Sequence, residues 1–241
     1  MRMRKKKNGE ARLSACSDFV MYAPVSPFSA PTEVFGRNAG QVFLEIGAGK
    51  GAFACEMAKR HPEACYFAME KVTDCVVLAA ELAKQTEGER TGNLRFIIDT
   101  ADNLTYIFEN GTVDRIFLNF SDPWSKKGYA KRRLTHRRYL ALYMNLLKDG
   151  GKLCFKTDNT DLFDFSLEEI EALGLRCDTV TRDLHASEWA ADNVMTEYET
   201  AFSSKGIKIN MLELTKPEGF CIDIPEELGR DRKIYSEKKH D

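Results

Sequence analysis

Between residues 41 and 174, short apolar runs alternate with segments of helical spacing. No other feature constrains the fold as much. QVFLEI (41–46), CYFAME (65–70), NLRFII (93–98), DRIFLNF (114–120) and KLCFKT (152–157) read as strands. Among them lie an amphipathic segment ending near Arg60, then VTDCVVLAAELAKQ (72–85), RRYLALYMNLLKDGG (137–151) and DLFDFSLEEIEALG (161–174). Glycines close the last two segments as helix stops. Such alternation predicts an α/β architecture with a mostly parallel sheet. Runs that are apolar on both faces suit strands covered by helices on both sides. LRCDTVTRDL (175–184) and IKINMLEL (207–214) read as further strands, so the expected sheet has about seven, the last ones mixed in direction. Residues 1–40, with a basic start and Pro24, Pro27 and Pro31, read as an extended N-terminal arm. Residues 41–215 form the expected domain, and 216–241 a polar, loose C-terminal tail.

LEIGAGKGAFA places Gly47, Gly49 and Gly51 directly between the first run and the first helix. Glycines there let the backbone turn sharply and approach a ligand. Glu70 ends the second run, 25 residues after Glu45, where an acid accepts hydrogen bonds from both hydroxyls of a ribose. A tight turn with no ligand is the bland alternative, and Gly47-x-Gly49-x-x-Ala52 also fits a relaxed dinucleotide fingerprint. Glu45 weighs against the dinucleotide, because a carboxylate beside a pyrophosphate is repelled. A sulfonium or an ammonium is welcome there, and S-adenosylmethionine carries both cations and a ribose. Asp99 and Thr100 end the third run; they either meet an adenine amino group or cap a helix starting near Asp102.

In an open α/β sheet, ligands bind at the carboxyl ends of the strands. Asp122, after the fourth run, therefore belongs beside the cofactor. Seven Lys or Arg follow within the thirteen residues Lys126–Arg138, with no acid among them. Formal net charge is only −2, so nucleic acid would be met by this local patch and not by a global field. A purely solvated face normally alternates its charges; an unmixed run, including Lys126, Arg132 and Arg133, suits phosphates. Seven cysteines, odd in number and without a CxxC pair, read as reduced thiols and not as a zinc site, so no metal is expected. No apolar run is long enough to span a bilayer, and no apolar segment follows the basic Met1–Lys7, which points to the cytoplasm. Monomer and homodimer both remain open.

With these residues in hand, the chain resembles the bacterial tRNA (guanine-N7)-methyltransferases, of the Rossmann-like class I S-adenosylmethionine-dependent fold. LEIGAGKG (44–51), LNFSDPW (118–124), KRRLT (131–135), FKTDN (155–159), DLH (183–185) and MTEYE (195–199) carry the resemblance, over roughly residues 40–215. It implies that Glu45, Glu70 and Asp122 hold the cofactor with the Gly47–Gly51 loop. It also implies that Lys126, Asp158, Thr196, Glu197, Tyr198 and Glu199 hold the substrate, a tRNA guanine at position 46. Two places depart from the family pattern: Thr100-Ala101 stands where Asp-Ala is usual, and GYA precedes KRR.

Guanine N7 carries a lone pair and no proton, so transfer needs proximity and alignment and no general base. Asp122 and Asp158 are the candidates for orienting the base. The alternatives are turn formation by Asp122-Pro123 and an N-cap at Asp158. On bare sequence, Glu197 and Glu199 look like an exposed strand edge. The rival readings are a methyltransferase for small molecules or proteins, a dinucleotide-dependent oxidoreductase, and a non-enzymatic RNA-binding protein.

Overall fold

The computed structural model describes residues 6–38, 40–86 and 92–223. In chain order the elements are α1 Gly9–Ser14, β1 Val20–Met21, β2 Val42–Ile46, α2 Ala52–Arg60, β3 Cys65–Glu70, α3 Thr73–Thr86 and β4 Leu94–Ile98. They continue with β5 Val113–Asn119, α4 Arg137–Leu146, β6 Leu147–Thr157, α5 Thr160–Glu171, β7 Thr179–Thr181, α6 Glu197–Ser203 and β8 Asn210–Thr215. The strands form one sheet in the order β1-β4-β3-β2-β5-β6-β8-β7. Pairing is parallel from β1 through β6, and antiparallel at β6–β8 and β8–β7.

The sheet separates two apolar cores. Val42, Leu44 and Ile46 face the side covered by α4 and α5, with Tyr143, Leu140 and Phe163 among the fully covered residues. Phe43 faces the other side, with Phe53, Ala54, Val76 and Ala80 of α2 and α3. Both faces of β2 and β3 are thus buried, which explains their continuous apolar runs. Each fully buried Phe or Leu contributes about 1.5–3 kcal/mol. Glu45 stands on the Phe43 face, an acid inside an otherwise apolar strand.

The sheet has eight strands where about seven were expected. The additional one is β1, two residues long and too short to register as an apolar run. It comes from the segment read as an extended arm. That segment also holds α1, whose Arg12 grips Glu81 of α3 through two bonds of 2.7 Å. Phe28 bridges to Phe108, and Pro31–Phe35 form a 3-10 turn.

Two other boundaries moved. The helix expected to reach Gly151 stops at Leu146, and β6 starts at once. Its pairing with β5 skips from Leu147 to Lys152, and Gly150 takes a positive φ of 75° inside that irregularity. The start of the expected tail is fastened. Asn145 donates to the Ile222 carbonyl at 2.7 Å and accepts from its N–H at 3.2 Å. Residues 224–241 lie outside the described residues, as do Arg2, Arg4 and Lys5.

Candidate active site

β2 leads through α2 to β3 on one side, while β5 lies on its other side. The order reverses here, so the crevice beyond these carboxyl ends is where a ligand fits. Two cavities occupy it, of about 200 Å³ and about 600 Å³. They share Gly47, Asn119 and Phe120.

The glycine loop forms the common wall. Gly47, Gly49 and Gly51 have φ of 85°, 57° and 80°, conformations that side chains rarely adopt. A Cβ on Gly51 would lie 2.7 Å from Ala79 Cβ, so this glycine lets α2 close onto α3. The loop is braced from below, because Gly47 and Ala48 N–H donate to the Met69 carbonyl at 2.8 and 3.0 Å. No side chain caps α2 at Gly51, which leaves backbone N–H groups at the cavity wall.

Three acids serve this wall differently. Glu70 accepts from Gly49 N–H at 3.0 Å and Val72 N–H at 2.8 Å, which fixes its carboxylate in the large cavity. Glu45 is 2% exposed. Its carboxylate accepts from Asn119 Nδ2 at 3.0 Å and Tyr66 OH at 3.4 Å. Burial pushes it up to about 7, against the pull of the Asn119 bond and the Lys156 charge. Asp99 is also buried; it accepts from Thr100 N–H and Asn103 Nδ2, each at 2.7 Å. Thr100 caps the 3-10 turn Ala101–Tyr106 by accepting from Asp102 N–H. Both residues line the large cavity, so a structural bond and a place at the ligand coexist.

After β5 the chain runs through a strained loop. Phe120 and Trp124 have φ of 51° and 42°, which costs of order 1–3 kcal/mol each and is common at functional sites. Asp122 is exposed on this loop and lines the large cavity. Arg133 holds the loop from behind, donating to the carbonyls of Pro123 at 2.9 Å and Trp124 at 3.3 Å. Its guanidinium also covers the Phe165 ring. It therefore braces this loop. Arg137 is bound by Glu169 through three donors, and Arg138 reaches Asp102 at 3.3 Å. The acids missing from the basic run come from distant parts of the chain. Lys126, Lys127, Lys131 and Arg132 stay exposed, and Arg132 lies over Trp124 and Tyr129 at the rim of the large cavity.

TEYE is a helix start and not a strand edge. Thr196 and Glu199 form a capping box at the head of α6. Glu199 is fully buried. It meets Lys156 Nζ at 2.7 Å, His185 Nε2 at 2.8 Å and Asn193 Nδ2 at 2.6 Å. Burial pushes its carboxyl up, but Lys156, His185 and Asn193 outweigh that and hold it below the usual range. Burial lowers Lys156, with Glu199 pulling it back. Glu199 thus anchors α6 from the buried side and does not line either cavity. Thr196, Glu197 and Tyr198 roof the small cavity. Tyr198 stacks on Phe202 at 4.1 Å, lies 5.1 Å from Phe120, and reaches Asp158 with its hydroxyl at 3.4 Å. Asn159, not Asp158, caps α5.

The fold therefore gathers Glu45, Gly47, Gly49, Gly51, Glu70, Asp99, Thr100, Asp122, Arg132, Thr196, Glu197 and Tyr198 around two joined cavities. Asp158 joins them through Tyr198. Lys126 stands outside both, at the start of the 3-10 turn Lys127–Arg132. Sequence reading missed Asn119, Phe120 and Lys156. A lysine between Phe155 and Thr157, both buried, was the available sign, because a buried lysine needs an acid.

Residues 39–212 match a family model described as "Putative methyltransferase". A tRNA (guanine-N(7)-)-methyltransferase of Lachnoclostridium phytofermentans is 43% identical over 204 residues, covering 85% of this chain and 94% of that relative. Among solved structures, the 16S rRNA methyltransferase KamB superposes with a TM-score of 0.58 at 13% identity, over 80% of this chain and 95% of that one. An antibiotic-related methyltransferase gives 0.55 at 18%, over 76% and 90%. These two likenesses establish the class I methyltransferase architecture. With its relative matched over nearly its whole length, the chain belongs to the tRNA (guanine-N(7)-)-methyltransferase family.

Proposed function

We propose that this chain transfers a methyl group from S-adenosylmethionine to N7 of a tRNA guanine, at position 46 of the variable loop. The observation that carries the reading is Glu45. It is a buried acid lining the small cavity, and its side-chain partners Asn119, which both cavities share, and Tyr66 are both neutral. Such a group is stabilised by a cationic ligand and repels a pyrophosphate, which disfavours the dinucleotide reading.

The residues fit this cofactor. Glu70, fixed by two backbone N–H groups, would hold the ribose in the large cavity, with Asp99 and Thr100 nearby. Glu45 and the Gly47–Gly51 wall would hold the sulfonium end. When bound, S-adenosylmethionine supplies an electrophilic methyl. The protein's part is then to place guanine N7 in line with it. Asp122 lines the large cavity and Asp158 reaches the small one through Tyr198, and both carboxylates can accept from guanine N1–H and the exocyclic amine. Both also tolerate the positive charge that develops on the purine. N7 has no proton to remove, so neither acts as a base. Lys126, Lys127, Lys131 and Arg132 offer phosphate contacts that fix the register of the RNA.

Labelled S-adenosylmethionine with unmodified tRNA, followed by nucleoside analysis, tests this. The expected product is 7-methylguanosine at position 46. Label in another nucleoside, or none with the cofactor shown to bind, would contradict it.

A further inference from the structure

The basic segment carries one tyrosine that the core does not use. Tyr129 lies in the 3-10 turn Lys127–Arg132, which buries none of its residues. Its side chain is 41% exposed, among the exposed cations Lys126, Lys127 and Lys131. Arg132 holds the ring. Its guanidinium carbon stands 4.6 Å from the Tyr129 centroid and 5.1 Å from the Trp124 ring, both within cation–π reach. Trp124 meets Tyr129 edge to face, with centroids 5.9 Å apart and planes at 80°. Trp124 and Arg132 line the large cavity together with Asp122, and Tyr129 extends this wall one ring outward. The wall stands on a fixed base. Arg133 donates to the carbonyls of Pro123 and Trp124 and covers Phe165, which packs against the core.

We propose that Tyr129, held by Arg132 and Trp124, is a stacking platform for an unpaired nucleobase next to the target guanine. The inference rests on the reading of this chain as a tRNA methyltransferase and adds a base contact to a segment otherwise assigned to phosphates. Exposed aromatic rings and guanidinium planes among cations are the groups on which proteins hold unstacked bases. Such stacking tolerates any base, because every base has a π-face. The order of groups along the wall fits the task. Asp122 lies in the cavity where guanine is oriented, Trp124 and Arg132 follow, and Tyr129 stands outside. A guanine turned into the cavity leaves its neighbour without a stacking partner on one side, and Tyr129 replaces that partner. Arg132 stays exposed, so its charge still meets a phosphate. The competing role is a clasp, in which Tyr129 merely keeps Arg132 in place for the phosphate.

Binding of tRNA transcripts with an abasic site at one or the other neighbour of the methylated guanine separates these roles. One of the two abasic transcripts is expected to bind the parent chain about tenfold more weakly than intact tRNA, and to bind Tyr129→Ala within about twofold of it. On intact tRNA, Tyr129→Ala and Tyr129→Leu are each expected to lose about tenfold with the salt slope unchanged, while Tyr129→Phe stays within about twofold. S-adenosylmethionine affinity, measured in the same variants, is expected to match the parent and reports an intact fold. Abasic losses that are equal in the parent and in Tyr129→Ala, or no loss from either abasic site in the parent, would overturn the proposal. So would a Tyr129→Leu variant that binds like the parent, or a Tyr129→Ala variant whose salt slope falls by about one, as loss of a phosphate contact requires. A parent chain that neither binds nor methylates intact tRNA would overturn the proposed function, and this inference with it.

Discussion

The glycine loop and the basic segment Lys126–Arg138 both border the same crevice, and they were unequally readable. Gly47, Gly49 and Gly51 make the sharp turn that their spacing suggested. Their task is local: three positive φ values and a close approach to Ala79. The basic segment looked uniform in sequence and divides in space. Arg133, Arg137 and Arg138 are used within the protein by Pro123 and Trp124 carbonyls, Glu169 and Asp102. Lys126, Lys127, Lys131 and Arg132 face solvent. A motif whose partners are its own neighbours can be read from the chain. A charge run cannot, because its counter-charges arrive from 30 or more residues away, as with Arg137 and Glu169.

The comparison predicts separable defects. The largest belongs to neither region but to the anchor between them. Lys156→Ala leaves Glu199 buried with its cation removed, and a loss of about 3–5 kcal/mol in stability is expected. Chemical denaturation measures it; a loss below about 1 kcal/mol would mean that the anchor is not needed. Next is the exposed half of the basic run. Replacing Lys126, Lys127, Lys131 and Arg132 with Ala is expected to lower tRNA affinity about 100-fold at physiological salt and to flatten its salt dependence by about three in log–log slope. Arg137→Ala, by contrast, should cost stability and leave that slope unchanged. An equal change of slope in both variants would erase the division just drawn.

The smallest effect is one of pH. The Glu45 carboxyl in the folded chain sits near 7, above the 4.5 of a free glutamate. The native state keeps this proton longer than the unfolded state does. Stability of the ligand-free protein therefore falls as pH rises from about 4.5 to 7 and levels off above. S-adenosylmethionine needs the ionised form, so its affinity should rise several-fold from pH 6 to 8, and more than that of S-adenosylhomocysteine, which lacks the sulfonium. Parallel pH profiles for the two ligands would remove Glu45 from the sulfonium.

Most of the parallel sheet was legible, since β2 through β5 are buried on both faces and read as apolar runs. β1 was not, because two residues carry no period, and α1 was hidden in a segment that its prolines made look extended. Around the crevice, the placement of Glu45, Glu70 and the glycines was legible from position relative to strand ends. TEYE was misread as a strand edge because Glu199 looks like a surface acid until Lys156 and His185 are brought to it from 43 and 14 residues away. Phe120 gave no sign, as its left-handed backbone is imposed by the turn after β5 and not by its residue type.

The most direct test of the proposed division of labour is a pair of binding measurements on two variants. Glu45→Gln and the fourfold Lys126/Lys127/Lys131/Arg132→Ala variant are each titrated with S-adenosylmethionine and with unmodified tRNA. The expected result is reciprocal: Glu45→Gln loses about tenfold or more for the cofactor and keeps tRNA affinity, while the fourfold variant does the reverse. Loss of both ligands in both variants, with the fold intact, would contradict the account and make the crevice a single coupled site.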